Sequence, residues 1–148
     1  RYIVEISDKN MTSMHGQEEC NENLRQICIR EEQSDKYWEY VSCFINSGNS
    51  SQCIESSAIN SLELNNCQID NERGSKYASE DFNIAQNFKI TGSPTLLMNN
   101  EMVYESDFGG RTEQAVKNLI CCGFISQPDF CPMNLSTETV KSGFVSII

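Results

Sequence analysis

Eight cysteines, at positions 20, 28, 43, 53, 67, 121, 122 and 131, and a single histidine, His15, carry the reactive chemistry of this sequence. Thiols suit nucleophilic catalysis beside a histidine, metal ligation, or disulfide exchange and stapling. A Cys–His nucleophile would have to be built on His15, but a glycine follows it and a polar loop precedes it. A structural or hydrogen-bonding role is expected instead. A metal site needs several ligands at close spacing; the cysteines are dispersed and no second histidine exists, so no metal is expected. Dithiol exchange uses a Cys-x-x-Cys pair, and no two cysteines here have that spacing; the close pair is the vicinal Cys121-Cys122. The acidic cluster Glu18-Glu19-Glu22 reads as a solvated helix start rather than an acid–base pair. No catalytic residue and no cofactor is expected.

The cysteines read best as staples. Cys20 and Cys28 lie eight positions apart on one expected helix, about 12 Å at the helical rise, too far to bridge. Cys43 and Cys53 flank a turn between two expected helices and are paired. Cys28 and Cys67 would then tie the first helix to the last element of the helical block. So many thiols in 148 residues point to an oxidising, secreted or lumenal compartment. Sequons at Asn10, Asn49 and Asn134, candidate glycosylation sites, agree with it. A net charge of −10 argues against nucleic acid and anionic membranes. No apolar run reaches the roughly 20 residues of a membrane span. The sequence opens at Arg1 without methionine or signal peptide, as a mature product or fragment would.

The expected scaffold is α/β with much helix and no internal repeat. Tyr2–Ile6 reads as a strand and Ser7–Gly16 as a polar loop. Gln17–Glu32 is helical, with Leu24, Ile27 and Cys28 on one side. Ser34-Asp35 caps a helix over Lys36–Asn46, whose apolar face is expected to be Trp38, Val41 and Ile45 with Tyr37. Further helical segments are Gln52–Asn60, a short element over Glu63–Asp70, and Ser79–Asn87. A hairpin follows: Thr95–Met98, a turn at Asn99-Asn100, then Glu101–Tyr104. Thr112 caps a last helix through Ile120, stopped at Gly123. Ala115, Val116, Leu119 and Ile120 form its expected apolar face; Cys121 points outward, within reach of the returning tail, and Cys122 lies at the edge. From Ser126 the chain reads as irregular, and as mobile beyond Cys131.

Pro94 opens the hairpin, where it removes a ladder donor. One reading is an ordinary trans proline on an edge strand. The other is a cis-proline, because Gly92-Ser93-Pro94-Thr95 resembles the loop before the penultimate hairpin of thioredoxin folds. In that fold the loop pairs with a substrate peptide, which implies substrate-binding roles for Ser93, Pro94 and Thr95.

Two further stretches carry a family resemblance. His15-Gly16-Gln17-Glu18-Glu19-Cys20, with Asn23 and Cys28 at their spacings, resembles the signature of the gamma-interferon-inducible lysosomal thiol reductases. The C-terminal half is similar to DsbA-like thioredoxin-fold proteins and to the lumenal domain of plant vacuolar sorting receptors. The residues that carry this likeness are Gly109-Gly110-Arg111-Thr112, Ile120-Cys121, Gly123-Phe124, Pro128 and Cys131. The resemblance implies a single thioredoxin-like domain over 1–131, with a helical insertion at about 17–72 and an irregular tail over 132–148. It places Cys121 with Cys131. Ser13 stands where the signature has its first cysteine and Met14 where it has glutamine, which orphans Cys20. Cys122 is likewise extra, and a Cys20–Cys122 bridge is expected to join the two.

In these reductases the redox pair precedes the strand that Tyr2–Ile6 resembles. The chain is therefore expected to lack the first, Cys-x-x-Cys-bearing strand and helix of the fold. Three functions follow. One is disulfide exchange completed by a Cys-x-x-Cys strand from upstream or from a partner polypeptide. Another is a non-catalytic module that holds a peptide or protein at the hairpin. The third is a structural extracellular subunit. A Cys-x-x-Cys before Arg1 in the precursor separates the first two.

Overall fold

The computed structural model of the chain describes residues 4–7, 10–13, 15–92 and 95–139, with 4–7 and Asn10 described by backbone alone. These residues form two compact units that divide between 94 and 95. Their elements are helices and short strands, stapled by three disulfides, an α/β organisation.

In the first unit, β1 (Val4–Ser7) pairs antiparallel with β2 (Asn10–Ser13), Val4 opposite Ser13 and Ser7 opposite Asn10. The polar stretch after Ser7, expected as a loop, thus holds a strand. Ladder bonds are made by the backbone, so polar residues pair as readily as apolar ones. Tyr2 and Ile3, the start of the expected first strand, lie outside the described residues. Helix α1 (Gln17–Glu32) has the expected bounds and starts from Gly16 at φ 97°. A 3-10 turn at Ser34–Lys36 leads into α2 (Tyr37–Ser47), which Gly48 ends at φ 65°. Asn49 and Asn60 cap α3 (Ser50–Ser56) and α4 (Ser61–Ile69) with their side-chain oxygens. Helix α5 (Gly74–Asn87) begins five residues before the expected Ser79. Its first turn packs on α1 and α4: a Cβ on Gly74 would meet the Cys67 carbonyl oxygen at 2.5 Å.

The core of this unit joins Ile29, Tyr40, Ile59 and Leu64 to the sulfurs of Cys28, Cys53 and Cys67. Cys28–Cys67 clamps α1 to α4 and Cys43–Cys53 clamps α2 to α3, with Cα separations of 6.0 and 5.6 Å. Each closed loop stabilises the fold by about 3 kcal/mol in the chain-entropy picture. Helix α5 is held to α1 by Arg30, both of whose terminal nitrogens reach the Asp81 carboxylate (3.1 and 3.2 Å), and by Arg73 Nε donating to Glu32 at 2.9 Å.

Helix α2 faces inward through only part of the face its sequence suggested: Tyr37 and Val41 turn to the core, Trp38 and Ile45 do not. Tyr40 is fully buried, with Tyr37, Val41 and Phe44 packed around the core beside it, while Trp38 is 75% and Ile45 77% exposed. The reason is polar as much as apolar. The Tyr40 hydroxyl donates to Glu22 Oε1 at 2.9 Å, inside a cluster where Gln26 and Arg25 also bind that carboxylate. A buried carboxylate needs such partners. Burial, then the Glu22 charge, pushes the Tyr40 phenol well above its ordinary pKa.

In the second unit, β3 (Leu96–Met98) and β4 (Glu101–Val103) form a hairpin closed by Asn99 and Asn100, both at positive φ (51° and 67°). That is the two-residue turn the Asn-Asn pair favours. A 3-10 turn (Glu105–Phe108) precedes α6 (Glu113–Cys122), where Thr112 Oγ1 accepts from the Ala115 N–H at 3.0 Å. Ala115 and Leu119 are buried as expected, but Val116 and Ile120 are partly exposed and Cys121, expected outward, is buried. The tail covers that side of α6. Cys131 bridges Cys121, Lys117 Nζ donates to the Cys131 carbonyl at 2.9 Å and to that of Met133, and the Gln114 N–H donates to the Ser136 carbonyl at 3.0 Å. The tail is irregular, yet up to Ser136 it is laid back along the helix. An apolar groove of about 460 Å³, lined by Val116, Ile120, Phe130 and Leu135, lies between them.

Candidate functional site

The residues that carry chemistry in the first unit gather where β2 meets α1. Glycine 16 lets the chain turn from strand into helix, and the helix's first turn then brings Glu19 under that turn. Glu19 is only 4% exposed. Its Oε1 lies 2.7 Å from His15 Nδ1, and its Oε2 accepts the His15 backbone N–H at 3.0 Å and a hydrogen bond from the Ser13 hydroxyl. Ser13 Oγ also lies 2.9 Å from the Gly16 carbonyl. One carboxylate thus fastens both sides of the strand-to-helix junction. Burial pushes the Glu19 carboxyl up, but the bonds from Ser13 and His15 outweigh it and hold it below its usual value. His15 therefore has the hydrogen-bonding role expected of it. Glu19 does not, because the reading of Glu18-Glu19-Glu22 as a solvated helix start holds for Glu18 alone; Glu19 and Glu22 are both buried. What linear spacing could not show is that polar partners from the preceding turn and from α2 wait for them.

Cys20 follows, 2% exposed, with its thiol against the Met11 carbonyl at 3.2 Å. Burial and then the neighbouring Glu19 charge raise its pKa, so this thiol is a weaker acid than an ordinary one and a poor source of thiolate. Asn23, one turn further along the same face, is buried, and its Nδ2 has no hydrogen-bond partner among the described residues. Cys122 is exposed at the end of α6. The expected Cys20–Cys122 bridge does not form, since both thiols are free. Cys20 is taken up by packing against β2, a strand that the sequence did not disclose.

Cys28, Cys67, Cys43, Cys53, Cys121 and Cys131 form the three disulfides in the pairings read above. Ser93 and Pro94 lie outside the described residues, so the expected cis bond does too; Thr95 is half-buried at the entrance to β3. Asn49 and Asn134 are exposed, and Asn49 uses only its Oδ1 to cap α3, accepting the Gln52 N–H at 3.1 Å. The side chain of Asn10 lies outside the description. Among the described residues no helix is long and apolar enough to cross a membrane.

No curated protein and no solved structure matches the chain. A family model does: residues 3–73 match gamma interferon inducible lysosomal thiol reductase (GILT). That stretch contains the junction held by Glu19 and both disulfides of the helical block, and over it the chain is similar to the thiol reductase family.

Proposed function

We propose that the chain is a lumenal, thioredoxin-like part of a thiol reductase of the GILT kind, which does not turn over disulfides by itself and acts with a Cys-x-x-Cys supplied by another polypeptide segment. The observation that carries this is the state of the signature. Its turn is kept as structure by Glu19, His15 and Ser13, while the thiol left on it, Cys20, is buried and of raised pKa. The Asn23 amide beside it, which has no partner among the described residues, supports a further segment, because a buried donor left unpaired costs about 1–3 kcal/mol. In this reading Ser93, Pro94 and Thr95 orient the substrate cystine, and the exposed Asn49 and Asn134 carry glycans as in a lumenal protein.

The test is insulin reduction followed by turbidity. The chain alone should match the uncatalysed rate, and the chain fused to a Cys-x-x-Cys-bearing thioredoxin strand and helix should exceed it. Turnover by the chain alone that disappears in Cys122→Ser would make it a reductase in its own right and overturn the proposal.

A further inference from the structure

Helix α2 presents to solvent an apolar stripe that its own fold does not use. Trp38 and Ile45 stand seven positions apart, two helical turns and thus one face, about 10 Å apart along the axis. They are 75% and 77% exposed. The Trp38 ring is held by an edge-on contact with Tyr37, centroids 5.1 Å apart. Tryptophan is among the residues enriched at binding hot spots. Asp35, three positions before Trp38, and Glu39, just after it, are both exposed. The charge along α2, the turn before it and α3, which packs on it, is mostly negative: the carboxylates are Asp35, Glu39 and Glu55, and the single cation is Lys36. Lys36 turns its ammonium to the Gln33 side chain, at 3.5 Å.

We propose that this face of α2 docks a basic amphipathic helix, its apolar stripe covering Trp38 and Ile45 and its Lys or Arg side chains beside Asp35 and Glu39. Apolar burial supplies the affinity and the carboxylates select the charge of the partner. A second copy of this chain, itself at −10, or an anionic membrane would meet repulsion at the same face. The docking is independent of the redox reading above.

Trp38 is the only tryptophan of the chain, so its emission reports occupancy of the face directly. Titration with a synthetic Leu/Lys amphipathic helix should shift that emission to the blue, more weakly as salt is raised. A Leu/Glu helix of the same pattern should leave it unchanged. Ile45→Ser keeps the reporter and should weaken binding about tenfold or more; Asp35→Asn with Glu39→Gln should flatten the salt dependence. These are exposed positions, and unchanged circular dichroism confirms that the variants fold. No shift with the basic helix, an equal shift with the acidic one, or an unaltered affinity in Ile45→Ser would overturn the proposal. So would a shift caused by raising the concentration of the chain alone or by zwitterionic vesicles, which would assign the face to self-association or to lipid.

Discussion

Gly74 and Cys67 approach so closely that a methyl group at position 74 would stand 2.5 Å from the Cys67 carbonyl oxygen. The same methyl would lie 3.1 Å from Leu24 Cδ1 and 3.3 Å from Cys28 Sγ. Leu24 can give way, whereas the carbonyl belongs to α4 beside a disulfide and cannot move without the helix. Replacing glycine by alanine in a helix ordinarily gains up to about 1 kcal/mol, and overpacking costs about 1–3 kcal/mol. The steric term wins here because the obstacle is backbone. Gly74→Ala should therefore lower the midpoint of urea unfolding at unchanged slope; a raised midpoint would show that α5 can shift away from α4.

Glu19 ties the acid stability of the fold to the junction it holds. Its carboxyl sits below the ordinary value in the folded chain, so its contribution is fully present above the unfolded carboxylate pKa of about 4.3 and is lost as the pH falls through the lower, folded value. Glu19→Gln should cost about 1–3 kcal/mol at neutral pH. Melting of both proteins between pH 7 and pH 3 should show this gap constant down to about pH 5 and shrinking below it. A gap independent of pH would mean that the glutamine loses packing rather than charge.

The two free thiols should differ in access. Ellman's reagent should titrate one thiol quickly in the native protein, Cys122, and a second, Cys20, only on unfolding. Cys122→Ser should remove the fast phase and Cys20→Ala the slow one. No titratable thiol after unfolding without reductant would reinstate a bridge between them.

Local chemistry was legible in the sequence, and contacts between elements were not. The Asn99-Asn100 reversal, the bounds of α1, the Thr112 cap and the pairing of Cys43 with Cys53 across a short turn depend on neighbours a few positions away, whose geometry the backbone dictates. The candidate site was half visible. Its residues stood at the spacing of a reductase signature, but that Glu19 would be the buried hub of the junction depended on where Ser13 and His15 were carried by an unforeseen strand.

Tertiary structure decided which face of each helix lies inward. In α2, Trp38-Val41-Ile45 and Tyr37-Tyr40-Val41-Phe44 are both helical stripes; the second is buried because α1 offers Tyr40 a carboxylate partner at Glu22, a fact of the neighbouring helix. In α6, Cys121 is covered because the tail returns along it, anchored by Lys117 and Gln114. Hydrophobic periodicity fixes the period of a helix, and only the packed neighbours fix its phase.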